Sequence, residues 1–130
     1  MTTKSPRTRK RPTRARWPSP LAHAIEAAQG KKASELVVLD LRKASAFTDY
    51  FLICSGTSDR QVTTIAGHIE ETLRKEGTRP FVVEGVRDGR WVLLDYADMV
   101  VHVFLDEVRE FYKFDRLWGS AAEIPVPEDQ

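Results

Sequence analysis

A chain of 130 residues, 42% apolar and 30% charged, has the length and balance of one soluble domain and is too short for two comfortable ones. No apolar run approaches the ~20 residues a membrane-spanning helix needs. The single cysteine, Cys54, excludes an internal disulfide, and three scattered histidines (His23, His68, His102) argue against a structural zinc site.

The net charge of +1 hides a division. Residues 1–18 carry Lys4, Arg7, Arg9, Lys10, Arg11, Arg14 and Arg16 with no acid, interrupted by Pro6, Pro12 and Pro18, and are expected to form a disordered basic tail. The remainder is net acidic, so the tail suits an anionic surface. Arg7, Arg9, Lys10, Arg11, Arg14 and Arg16 are its candidate RNA contacts. A merely solubilising extension is the competing reading. An organelle transit peptide is a third, although the prolines spoil the amphipathic helix it would need.

Ser19-Pro20 opens a helix in which Leu21, Ala24, Ile25 and Ala28 recur at helical spacing until Gly30. ELVVLDLR (35–42) reads as a strand, and DYFLIC (49–54), apolar on both faces, as a central one. Ser58-Asp59-Arg60-Gln61 fits a capping box, with Gln61 reaching back. Val62, Ile65, Ala66, Ile69 and Leu73 then make one apolar stripe, Glu70–Arg74 and Glu71–Lys75 are i,i+4 pairs on the wet side, and Gly77 ends the helix. PFVVEG and RWVLLDY flank Asp88-Gly89, a hairpin turn signal. MVVHVF (99–104) returns antiparallel, DEVREFY (106–112) is a short helix, and FDRLW adds an apolar turn. The order predicts an α/β fold: a mixed sheet of about five strands flanked by helices.

Gly56-Thr57-Ser58 sits between a strand and a helix, as phosphate-binding loops do. It lacks the further glycines and the lysine those loops use, so helix capping is the preferred reading. A nucleotidyltransferase would need two carboxylates side by side on a neighbouring strand to hold magnesium. FVVEG offers only Glu84, and Asp95 and Asp98 fall together only if the chain bends at Ala97. A Cys54–His102 pair is conceivable, but a buried inert thiol is commoner. No coherent catalytic set emerges. Aromatic and acidic residues instead crowd positions 91–118. If Val92, Leu94 and Tyr96 face the core, Trp91 and Asp95 share the open face, where an indole with an acidic rim would favour a basic partner.

The blocks DLRKASAFTDYFLICSGTSDRQVTTIAGHIEE, GRWVLLDYADMVVHVF and REFYKFDRLW closely resemble the ribosomal silencing factor family, also called Iojap-like, from about Leu21 to Trp118. The resemblance implies a nucleotidyltransferase-like fold without the catalytic residues, no enzyme activity and no cofactor. It also implies a translation repressor that binds the large ribosomal subunit through its fourteenth large-subunit protein and sterically blocks joining of the small subunit. Organelle relatives act in large-subunit assembly, which is the alternative role. A metal-dependent nucleotidyltransferase is the remaining rival.

The matching positions are Asp40, Ser45, Thr48, Asp49, Tyr50, Ser55, Gly56, Thr57 and Ser58, then Trp91, Asp95, Tyr96, Asp98 and His102, then Arg109, Tyr112, Leu117 and Trp118. The docking surface is expected at Trp91, Asp95, Tyr96, Asp98, His102, Arg109, Tyr112 and Trp118. The expected layout is an Iojap-like α/β domain over 19–119, between the basic tail and a flexible C-terminal tail at 120–130. Expected partners are the large subunit, ribosomal RNA through the basic tail, and a second copy when free, with no membrane. A cytoplasmic location is expected, with mitochondrion or plastid as alternatives. Ala97 stands where many relatives have glycine.

Overall fold

The computed structural model describes residues 17–44, 47–112 and 122–126. Helix α1 (Ser19–Gly30) leads into β1 (Ser34–Asp40), β2 (Tyr50–Gly56), helix α2 (Asp59–Arg74), β3 (Val82–Glu84), β4 (Trp91–Asp95), β5 (Met99–Leu105), helix α3 (Asp106–Tyr112) and β6 (Ala122–Pro125). The strands form one mixed sheet in the order β3-β4-β5-β2-β1-β6. Among the described strands only β2 and β5 run parallel, and α2, β3 and β4 make up the crossover between them. β2 lies inside the sheet and is buried along its whole length, as its unbroken apolar sequence predicts.

The α2 stripe is found as read: Val62, Ile65, Ala66, Ile69 and Leu73 are the buried residues of that helix. They cover the sheet face that carries Val92, Leu94, Val101 and Val103, with α1 packed alongside. Gly77, at φ 87°, closes the helix in the left-handed region, and the Thr78 amide returns to the Leu73 carbonyl at 2.9 Å. The ion pair on the wet side differs from expectation. Arg74 reaches Glu71 at i,i+3 rather than Glu70, at 2.6 Å.

Three other expectations are corrected by the backbone. The region read as a flexible C-terminal tail contains β6, which pairs antiparallel with β1, Val38 opposite Ile124 and Leu39 opposite Glu123. This makes a sixth strand, and Val126 is buried beyond it. Pro125 does not forbid a strand here because an edge strand can spare a donor. At the other end Trp17, assigned to the basic tail, is buried in the core. Finally, Asp88-Gly89 is not a two-residue hairpin turn. The connection runs from 85 to 90, with Gly85 and Gly89 both at positive φ and the Gly89 amide donating to the Gly85 carbonyl at 3.0 Å.

The link between β4 and β5 turns on Ala97, whose φ is 74°. The Asp95 carboxylate accepts the Ala97 amide at 2.8 Å, and the Tyr96 amide donates to the Met99 carbonyl at 2.8 Å. An alanine in this region carries roughly 1–2 kcal/mol of steric strain. Part of the relief from a glycine is offset by its larger unfolded-state entropy. Ala97→Gly is therefore expected to stabilise the fold by about 0.5–1 kcal/mol. Urea denaturation would show the midpoint moving up with an unchanged slope.

Candidate functional site

Strand register determines which side chains meet. Trp91 lies opposite Phe104, Leu93 opposite His102 and Asp95 opposite Val100. Phe51 and Ile53 of β2 continue that face across the sheet. Cross-strand partners point the same way, so these residues share the side away from α2. β4 alternates as expected: Val92 and Leu94 are buried, whereas Trp91, Leu93 and Asp95 are half-buried. On the sheet edge Glu84 stands beside Leu93 and Val82 beside Asp95, both exposed. The result is an indole and a leucine bordered by carboxylates.

Aromatic contacts hold this surface from beneath. The Trp91 ring lies 4.8 Å from that of Phe104, and His102 meets Phe51 edge-on at 4.5 Å. The Trp91 indole Nε1–H donates to His102 Nδ1 at 3.1 Å. His102 is only 3% exposed, and burial pushes its imidazole down to about 3, so it is neutral at physiological pH. Asp98 and Asp49 extend the acidic rim from the neighbouring turn and loop, both exposed. The Asp98 carbonyl ties the two by accepting the Asp49 amide at 3.0 Å and the Tyr50 amide at 3.2 Å. Phe47, 66% exposed in that loop, sits 6.5 Å from Phe51.

Not every residue expected at the docking surface is there. Tyr96 is buried on the core side of β4, and burial pushes its phenol up to about 12. Its hydroxyl has no hydrogen-bond partner among the described residues. His102 lies beneath the surface rather than on it. Arg109, 8% exposed, is a structural tie: one guanidinium nitrogen donates to the Glu35 carbonyl and to Ser55 Oγ, each at 2.8 Å. Glu35 has φ 50° at an irregularity in β1, which turns its carbonyl towards that arginine's reach.

Tyr112 ends α3, and the placement of its side chain lies outside the described residues. So do Trp118, Leu117, Ser45 and the tail cations Arg7, Arg9, Lys10, Arg11, Arg14 and Arg16. Trp91, Asp95 and Asp98 therefore remain as surface residues. Strand period alone puts Leu93 on the side of Trp91 and Asp95, as found; sequence reasoning missed Val82, Glu84 and Phe47 as its neighbours. Val82 and Glu84 were within reach of the hairpin pairing; Phe47 carries no periodic signal at all.

The Gly56-Thr57-Ser58 turn is engaged in capping. Ser58 Oγ accepts the Gln61 amide at 3.1 Å, and Gln61 Oε1 accepts the Thr57 amide at 2.7 Å and its hydroxyl at 3.0 Å. Gln61 thus reaches one residue further back than a capping box requires. Its amide nitrogen also donates to the Lys31 and Lys32 carbonyls, pinning the end of α1. Cys54 pairs with Val103, so it and His102 project from opposite sides of the sheet. Burial pushes the thiol up to about 12 and leaves it a poor nucleophile. One Asp95 oxygen is committed to the Ala97 amide. Among the described residues no group of three or more His, Cys, Asp or Glu side chains could hold a metal, and no helix is long and apolar enough to cross a membrane.

Fold and surface together define a small α/β domain built on a mixed sheet, presenting a half-buried tryptophan inside an acidic border. Comparison with known proteins narrows this. The model of the family "Ribosomal silencing factor during starvation" matches residues 15–130, and the chain belongs to that family. It is 39% identical over 103 residues to the ribosomal silencing factor of Halalkalibacterium halodurans, covering 79% of this chain and 88% of that one. A crystal structure of a Chromobacterium violaceum protein superposes with a TM-score of 0.76 at 32% identity, covering 86% of this chain and 94% of that one. The mouse "Mitochondrial assembly of ribosomal large subunit protein 1" is 32% identical over 111 residues, 76% of this chain and 49% of its own length.

Proposed function

We propose that this protein is a ribosome-associated translation regulator. It docks on the large subunit through the Trp91–Leu93–Asp95 face, with the fourteenth large-subunit protein as the partner, and so obstructs joining of the small subunit. The observation that carries the reading is the half-buried Trp91 flanked on one face by Leu93, Glu84 and Asp95. Indoles in such settings often contribute upwards of ~2 kcal/mol to an interface, and a border of carboxylates selects a basic protein surface. Residues 1–16 add a cationic arm suited to ribosomal RNA, and the cytoplasm is the compartment of this reading. The mode of action is occupancy, with no turnover and no cofactor. The name of the mouse relative favours one second reading, a role in assembling the large subunit rather than silencing it.

Sucrose-gradient separation of purified large and small subunits tests the proposal. Rising concentrations of the protein are expected to move material from the joined-ribosome peak into free subunits, with the protein co-migrating with the large one. Undiminished joining at saturating, subunit-bound protein would leave assembly as the role.

A further inference from the structure

Trp91 carries the proposed docking surface, and the residue that aims it is underneath. A tryptophan on β4, which lies between β3 and β5, has two side-chain torsions and, half in water, several rotamers of similar energy. One is selected here by contacts from two β5 side chains, His102 and Phe104. The indole nitrogen is held by His102 Nδ1 at 3.1 Å, the ring lies against Phe104 at 4.8 Å, and the imidazole ring centre is 6.1 Å away. His102 is itself clamped, edge-on to Phe51 at 4.5 Å and stacked over Phe104 at 6.2 Å. Only the neutral tautomer with its proton on Nε2 leaves Nδ1 able to accept, and a buried imidazole stays neutral.

We propose that His102 is the positioning residue of the docking surface: it never meets the partner, but by accepting the Trp91 indole proton it holds that ring in its binding orientation. This rests on the docking role of Trp91 proposed above. The arrangement has a chemical consequence for recognition. Because the only polar group of the indole is spent inside the protein, the partner meets Trp91 through the ring face and outer edge and gains no hydrogen bond from it. Pre-setting the ring also removes the cost of ordering it on binding, on the order of two- to tenfold in affinity for a side chain with several rotamers.

The test compares three full-length variants with the unaltered protein by co-sedimentation with large subunits, and follows the Trp91 indole N–H by NMR hydrogen exchange. His102→Phe keeps an aromatic ring and removes the acceptor, whereas His102→Asn places an oxygen near the position of Nδ1. The expected result is a slowly exchanging Trp91 indole proton in the unaltered protein. His102→Phe should exchange it fast and bind about tenfold more weakly, with His102→Asn recovering most of both losses. Trp91→Ala separates the two ideas. If it weakens binding while His102→Phe binds normally, the positioning role is overturned; if Trp91→Ala itself binds normally, the docking reading beneath it is overturned. Should His102→Phe fail to fold, fast indole exchange in the unaltered protein would by itself overturn the proposal, and slow exchange with recovery in His102→Asn would uphold it.

Discussion

Trp91→Ala combined with Asp95→Lys is expected to abolish co-sedimentation with large ribosomal subunits. Removing the indole empties the centre of the patch, and truncations of this kind at interface centres cost ~2 kcal/mol or more, about thirtyfold in affinity. Reversing the charge at Asp95 then sets like charge against a basic partner, and the two losses together exceed roughly a thousandfold if they add. A control is needed because Asp95 also caps the turn by accepting the Ala97 amide at 2.8 Å. Asp95→Asn keeps that oxygen while removing the charge, so it should leave the denaturation midpoint nearly unchanged and lower binding several-fold, most clearly at low salt. Binding by the double variant equal to that of the unaltered protein would remove this face from the mechanism.

The division of β4 into a core side and an open side was legible because a strand has a strict two-residue period and Val92 and Leu94 are unambiguous core residues. The same holds for α2, where five apolar residues at helical spacing left one face to bury. Legibility failed where partners are distant in the chain. Tyr96 belongs to the Val92–Leu94 side by period, and it is there, buried, although the family resemblance put it among the docking residues. The family resemblance put Arg109 at the docking surface, and nothing local reveals that the Glu35 carbonyl and Ser55, 74 and 54 residues away, converge on it. β6 was missed for a related reason. A four-residue edge strand with a proline has almost no sequence signal, and its existence depends on the open edge of β1.

His102 lies between these cases. The family resemblance put it among the docking residues, but its place opposite Leu93 on the Trp91 face, its depth and its partner came only from the folded geometry. The docking face proposed for this protein is thus layered, with Trp91 and Asp95 to meet a partner and His102 one step inside to orient the indole.

Arg109 provides the sharpest check on that distinction, since the sequence reading puts it at the surface and the structure puts it inside. Arg109→Met keeps a long apolar stem but leaves the Glu35 carbonyl and Ser55 hydroxyl without their shared donor. Each hydrogen bond from a charged group contributes ~1.5–3 kcal/mol, and stranding a buried acceptor costs more than losing the bond itself. Some of this is offset because burying a guanidinium is expensive in the first place. The expected outcome is a loss of about 2–4 kcal/mol in unfolding free energy, or roughly 10 °C or more in Tm for a domain of this size. Ser55→Ala should cost less, and the two changes should be strongly non-additive, because they remove the same contact. Most telling is what should not change: at a temperature where Arg109→Met remains folded, its affinity for large subunits should match that of the unaltered protein. A variant that keeps its stability but loses binding would return Arg109 to the docking surface.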